Sequence, residues 1–238
     1  MLKAFDCATP PLGVTELAAR VGLHKSTAYR LAVTLVAEGF LRQDPDTGRY
    51  SLGDSLYRVA AGFVEQDPLL RAGRPVLEAL RDACGHMVSL AVLDEEQALF
   101  VQVIEATLPI RAAAMAAGDR LPLSVSAAGK VLLAGLPRHE AEAVLRRQGM
   151  PRLTPASVVS RQRLMREIAA IHRDGIGWSR EEAVTGLLAL AAPVQRAGRT
   201  VAALSMACPT NLLRARSPDQ LARRLRQAAH ELSSRLHE

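Results

Sequence analysis

No stretch of about 18 apolar residues free of charge occurs in this 238-residue chain, so no helix in it is expected to cross a bilayer. Its start, Met1-Leu2-Lys3-Ala4-Phe5-Asp6, meets charge early and lacks the apolar centre of a secretory signal. Cysteine is sparse. Cys7, Cys84 and Cys208 are odd in number and far apart, which argues against a disulfide frame and for buried thiols in a reducing compartment. These absences predict a cytoplasmic protein without a membrane segment.

Signatures of catalysis are missing as well. The histidines His24, His86, His139, His172, His230 and His237 show no pairing with each other or with a cysteine at metal-ligand spacing. Ala128-Gly129-Lys130-Val131 lacks the earlier glycine of a phosphate loop, and Val131 stands where a magnesium-binding hydroxyl is needed. Ser126 and Lys130 are one residue too far apart for an acylating Ser-x-x-Lys, and no Gly-x-Ser-x-Gly elbow exists. Glu181 and Glu182 are adjacent at a strand end, where neighbouring side chains point to opposite faces. Neither an enzyme nor a bound cofactor or metal is expected.

What the chain does have is length enough for two domains and a formal charge of +6. Residues 1–66 carry seven basic and seven acidic side chains, against 23 and 17 in the remainder, so net charge does not mark the early region. Clustering does: Arg20, Lys25, Arg30, Arg42 and Arg49 all fall between residues 15 and 52.

That stretch reads as a winged helix-turn-helix. Thr15 to Val21 places Leu17, Ala18 and Val21 at helical spacing, and Gly22 suits a left-handed helix end. A second helix is expected from Lys25 to Glu38, capped by a hydroxyl of Ser26 or Thr27, with Leu31, Leu35 and Val36 facing inward. Two helices joined by a short turn with Gly form the unit whose second helix enters a major groove. Gly39 to Gln43 and Arg49 to Leu52, joined by the turn Asp44-Pro45-Asp46-Thr47-Gly48, predict a hairpin wing that carries Arg42 and Arg49 toward phosphates. Leu2 to Phe5 reads as the end of a preceding helix.

Beyond the wing, residues 53–63 predict a helix with Leu56, Val59, Ala60 and Phe63 on one side, a suitable linker or dimer contact. Asp67 and Pro68 cap and open a helix that Gly85 stops. Residues 87–93 and 98–104 predict a strand hairpin, and Ile110 to Met115 a third, alanine-diluted strand. Helices are expected over 124–134, 137–148, 160–172 and 218–236, and strands over 176–179, 187–192 and 200–206. Hairpin-linked strands with separate helices predict an α+β domain on an antiparallel sheet. The division expected is 1–53 as the winged helix-turn-helix, 54–66 as a linker helix and 67–238 as a second domain.

Set in order, several short motifs resemble the IclR family of bacterial transcription regulators over nearly the whole chain. They are Glu16-Leu17-Ala18, Lys25-Ser26-Thr27 with Arg30, Gly39-Phe40-Leu41 and Tyr50-Ser51-Leu52-Gly53, then Leu121-Pro122-Leu123 and Ala128-Gly129-Lys130 with Leu132-Leu133-Ala134. Gly175, Arg180-Glu181-Glu182 with Gly186, Ala191-Ala192-Pro193-Val194, and Ala203-Leu204-Ser205 before Pro209 complete them. The resemblance implies an N-terminal winged helix-turn-helix joined to an effector domain of GAF-like fold, its antiparallel sheet flanked by helices. It implies double-stranded operator DNA and a small organic-acid effector as partners, and a homodimer or dimer of dimers.

By that resemblance Ser26, Thr27, Tyr29 and Arg30 would face base edges or adjacent phosphates, and Lys25, Arg42 and Arg49 the backbone. The effector residues would be Ile110, Ala127, Ala128, Ser179, Leu187, Ala189, Ser205 and Ala207. Unpaired amides where a helix starts at Ala127 and Ala128 suit a carboxylate. Ser124 stands where the family often has His, and Ser179 and Ala189 replace more polar or larger residues. With Trp178 beside them, these departures imply a roomier, less polar pocket for a larger or aromatic acid. An enzyme or sensor of such an acid with a vestigial DNA-binding module fits the same layout, but the chain offers it no nucleophile or metal set.

Overall fold

The computed structural model describes residues 1–5, 9–107, 115–211 and 217–237. Its contacts divide the chain into two units, Met1–Asp67 and Pro68–Glu238.

In the first unit, α1 (Val14–Val21) buries Leu17 and Ala18 and ends at Gly22, whose φ of 65° is left-handed. The Glu16 carboxylate reaches back to the Gly13 N–H at 2.7 Å, satisfying a free donor ahead of the helix. α2 (Lys25–Ala37) buries the small residues Ala28 and Ala32, and packs Leu35 and Val36 against the same core. Leu31, expected inside, is 44% exposed because it falls beside the stripe set by Ala28, Ala32 and Leu35. The cap also differs from expectation. Helix geometry begins at Lys25, so His24 occupies the capping position, and its Nδ1 accepts from the Ser26 N–H at 3.4 Å and meets Ser26 Oγ at 2.9 Å.

The wing is an antiparallel pair, β1 (Leu41–Gln43) and β2 (Tyr50–Leu52), to which Leu12 adds a bridge at Tyr50. Asp44 shapes its turn by accepting from the Thr47 N–H and Oγ1, both at 2.7 Å. Leu12, Leu17, Ala32, Leu41 and Tyr50 make the core of the unit, onto which a single 3-10 turn at Leu2–Ala4 packs in place of the longer helix end expected. α3 (Ser55–Gln66) buries no residue at all, with Tyr57 80% and Phe63 61% exposed.

The second unit is built on a six-stranded antiparallel sheet. Its strands are β3 (Met87–Asp94), β4 (Gln97–Ile104), β5 (Arg120–Pro122), β6 (Gly177–Arg180), β7 (Leu187–Arg196) and β8 (Arg199–Pro209), in the order β5-β4-β3-β8-β7-β6. Two hairpins carry it. Glu95 and Glu96 (φ 47° and 64°) and Ala197 and Gly198 (φ 50° and 74°) have the paired positive φ of a type I′ turn, whose twist matches that of the strands.

The two faces of the sheet differ in bulk, and that difference makes room for a site. One face presents Val88, Leu90, Leu188, Leu190, Val194, Leu204 and Met206 to α4 (Pro68–Cys84) and α8 (Pro218–Arg235). The other presents Ala91, Ala191 and Ala203 to α5 (Ala127–Ala134), α6 (Arg138–Gln148) and α7 (Arg161–Asp174). Strand alternation places Leu188, Leu190, Val194, Leu204 and Met206 on one face of β7 and β8 and Ala189, Ala191, Ala203 and Ala207 on the other.

α5 starts three residues later than expected because Ser126 is its N-cap, accepting from the Gly129 N–H at 3.0 Å. Gly129 itself is dictated by packing: a Cβ there would lie 2.5 Å from Leu123 Cα. The short β5 was not anticipated. The strand expected over 110–115 lies outside the described residues, apart from Met115.

Candidate nucleic-acid interface and ligand cavity

Lys25, Ser26, Thr27, Tyr29 and Arg30 are all exposed on the first turns of α2, whereas Ala28 and Ala32 are buried. Tyr29 is 53% exposed, so it is not a packed face of the helix, and Arg30 forms no ion pair among the described residues. Two hydroxyls, a phenol and a free guanidinium therefore stand together at a helix start, a set able to meet base edges and phosphates. His24 belongs with them and was missed, because a histidine cap carries a weaker sequence signal than a hydroxyl.

The wing cations are held differently from one another. Arg42 donates through Nε to Ser51 Oγ across the strand pair at 2.9 Å and has no carboxylate partner among the described residues. Arg49, expected at the phosphates, is turned onto the body of the unit: Nη2 lies 2.7 Å from Glu16 Oε2 and Nε donates to the Pro11 carbonyl at 2.7 Å. Arg20 likewise donates to the Ala4 carbonyl at 2.9 Å. The Gly13 N–H, with the Arg49 guanidinium beside it, holds the Glu16 carboxyl below its ordinary value.

In the second unit, Ala127, Ala128, Ser179, Leu187, Ala189, Ser205 and Ala207 line one cavity of about 290 Å³ between the small-residue sheet face and the start of α5. Ile110 lies outside the described residues. The sequence reading missed Met87, Ser89, Phe100, Met115, Asp119, Arg120, Leu121, Ser126, Ala183 and Val184, which complete the walls. Ser89 was findable in principle, since it faces Ser205 across the β3–β8 register and the two hydroxyls meet at 2.7 Å.

Most polar groups on the walls are already engaged. Arg120 is bound to the Asp94 carboxylate, Asp119 Oδ2 accepts the Ala116 N–H at 2.7 Å, and Ser179 donates to the Val125 carbonyl at 2.7 Å. Ser126 is spent on the cap of α5. The backbone N–H groups of Ala127 and Ala128, by contrast, find no acceptor among the described residues. The cavity thus offers an apolar body of Met87, Phe100, Leu121, Val184 and Leu187, and on its wall two residues with free amides at a helix N-terminus, a setting for an anion.

Two expected neighbours are elsewhere. Trp178 lies on the opposite face of β6 from Ser179, as alternation requires, packed against the α4–α8 core with the Arg180 guanidinium 4.6 Å above its ring. Ser124 is buried off the cavity wall, its Oγ without a hydrogen-bond partner among the described residues. No group of three or more His, Cys, Asp or Glu side chains able to hold a metal occurs among the described residues. No helix among them is long and apolar enough to cross a membrane.

Comparison with known proteins supplies the context. The model of the C-terminal domain of bacterial IclR transcriptional regulators matches residues 61–234, and that of the IclR helix-turn-helix domain matches residues 1–45. The transcriptional repressor IclR of Escherichia coli K12 is 33% identical over 183 residues, covering 76% of this chain and 66% of that protein. The acetate operon repressor of Salmonella typhimurium is 31% identical over 225 residues, covering 93% and 82%. Among solved structures, an IclR homolog from Microbacterium hydrocarbonoxydans complexed with 4-hydroxybenzoate superposes with a TM-score of 0.85 at 26% identity, covering 99% of this chain and 95% of that one.

Proposed function

The chain belongs to the IclR family of bacterial transcriptional regulators, and we propose that it sets the occupancy of a roughly palindromic operator according to the level of a small organic or aromatic acid. The observation that carries the acid is the pair of unpaired Ala127 and Ala128 amides on the wall of an otherwise apolar cavity. The carboxylate takes these two amides, and the remainder of the ligand lies between Phe100, Leu121 and Leu187. A cavity of about 150 Å³ suffices for benzene. The 290 Å³ here therefore has room for a substituted ring, and the homolog holding 4-hydroxybenzoate supports that size and charge.

Ser26, Thr27, Tyr29 and Arg30 read the operator, while Lys25 and Arg42 position the unit on phosphates and Arg49 braces the wing. The exposed Tyr57 and Phe63 of α3 favour a homodimer or a dimer of dimers, whose symmetry a palindromic site would match. The acid acts by binding one arrangement of the paired DNA heads more tightly than another, because a ligand shifts an equilibrium only by its differential affinity. The site of action is the cytoplasm, where operator and acid meet.

The test is a mobility shift on the DNA flanking the protein's own gene, with and without a panel of aliphatic and aromatic acids. A retarded band whose intensity one acid changes is expected. Lack of sequence-specific retardation at moderate salt would sink the proposal.

A further inference from the structure

Lys130 is one of three lysines in a chain with 27 arginines, and it is the one whose side chain is fully buried among those described. It projects from α5 a single turn after Ala127. Its ammonium donates to both Glu182 oxygens at 2.7 Å, to Glu167 Oε2 at 2.6 Å and to the Trp178 carbonyl at 3.0 Å. Every donor of the group is used. Burying such a set away from water is costly, and well-packed apolar residues often do as well for stability. A compact ammonium nevertheless suits three acceptors converging from three directions, which the flat fork of arginine does not.

The acceptors lie on different elements: Glu167 on α7, Trp178 on β6, and Glu182 on the loop from residue 181 to 186 between β6 and β7. That loop bears Ala183 and Val184, which line the same cavity as the first turn of α5. It is bounded by left-handed residues, Glu181 (φ 60°) and Gly186 (φ 78°), and closed on itself by the Gly186 N–H donating to Glu181 Oε2 at 2.8 Å. Ser157 Oγ holds the Glu182 carbonyl at 2.7 Å. Among the described residues, the hydrogen bonds that join the loop to α5 run from Lys130 to Glu182.

We infer that Lys130 is a positioning residue for the ligand cavity: by clasping Glu182 it fixes how far the 181–186 loop stands from the amides of Ala127 and Ala128, and through Glu167 it ties that spacing to α7. The inference rests on the effector reading of the cavity, yet its first consequence needs no ligand. Without the clasp, the loop loses its tether to α5 while the sheet beneath keeps its own hydrogen bonds.

The experiment compares the full chain with Glu182→Gln and with the paired change Lys130→Met/Glu182→Leu, which leaves no buried charge unmatched. Lys130→Met alone strands a buried carboxylate, so its failure to fold would leave the test to the other two. Thermal melting, hydrogen exchange without ligand, and calorimetric affinity for 4-hydroxybenzoate or another panel acid that the wild type binds are read together. The expected result is a cooperative melt in both variants and exchange at least about tenfold faster at the hydrogen-bonded amides of Gly129, Lys130, Glu181 and Gly186 but not in β7 and β8. Binding of the acid is expected to weaken at least about tenfold. Unchanged loop exchange overturns the inference, as does wild-type affinity in the paired variant. A wild-type chain that binds no acid, combined with the faster exchange, sinks the effector reading and leaves the positioning of the loop supported.

Discussion

The Arg49 guanidinium lies 2.7 Å from the Glu16 carboxylate and joins the base of the wing to the first turn of α1. A cation committed in this way is a brace for the wing. Arg30 and Arg42, which have no carboxylate partner among the described residues, remain available to DNA.

The salt dependence of operator binding separates these roles. Arg42→Ala should lower the slope of log affinity against log salt by about one unit, whereas Arg30→Ala should cost about 1–3 kcal/mol and relax the preference for the operator over unrelated DNA. Arg49→Ala should leave the slope near the wild-type value and lower the melting temperature of the first unit modestly. A full-unit loss of slope in Arg49→Ala would place that side chain on a phosphate after all.

Helix α2 depends on an exposed imidazole for its cap, and asparagine is a better residue for the position. His24→Ala should destabilise the first unit by about 0.5–1 kcal/mol, whereas His24→Asn should match or exceed the wild type. Urea unfolding of the full chain, followed by the helical signal of its first transition, checks both.

Filling the cavity should silence the ligand without disturbing DNA. Ala189→Leu adds three carbons to the sheet wall of the cavity, and since the volume is open the cost to folding stays below the ~1–3 kcal/mol of overpacking a filled core. Acid affinity should fall by about a hundredfold or more, and retardation of the operator without acid should persist. Persistence of the acid response would place the effector elsewhere.

Burial pushes the Cys208 thiol from its ordinary 9.0 up to about 11, with the neighbouring Cys84 adding to the shift. At pH 8 the native protein should therefore hold about a hundredfold less thiolate at this site than a free cysteine, and Cys208 should resist alkylation until denatured. Because the shift is upward, its contribution to stability is full below pH 9 and fades as pH rises toward 11. Rapid modification of Cys208 at pH 8 in the folded chain would contradict the burial.

Much of this was legible in residue order because it is local. Gly22 and Gly175 end helices through a left-handed φ, Ser160 caps α7, and the alternation of β7 and β8 follows directly from a period of two. The same period, applied to β6, would have put Trp178 behind the sheet from Ser179. Leu31 misled because a single leucine outweighs two alanines in any hydrophobic count, while the close packing of α1 and α2 is made by those alanines. Of the cavity, the residues on β7, β8 and α5 were found through motif order. Met87, Ser89 and Phe100 were not, since their place depends on which strands pair.

Residue order alone therefore settled most of the elements and their sequence, the helix-turn-helix with its wing and the alternation of the long strands, but not β5. These rest on dihedral preference and on periodicity within a few residues. Where charges spend themselves was decided only when distant segments met. Arg49 finds Glu16 across 33 residues and Lys130 finds Glu182 across 52, and electrostatic pairing depends on distance in space, to which separation along the chain is blind.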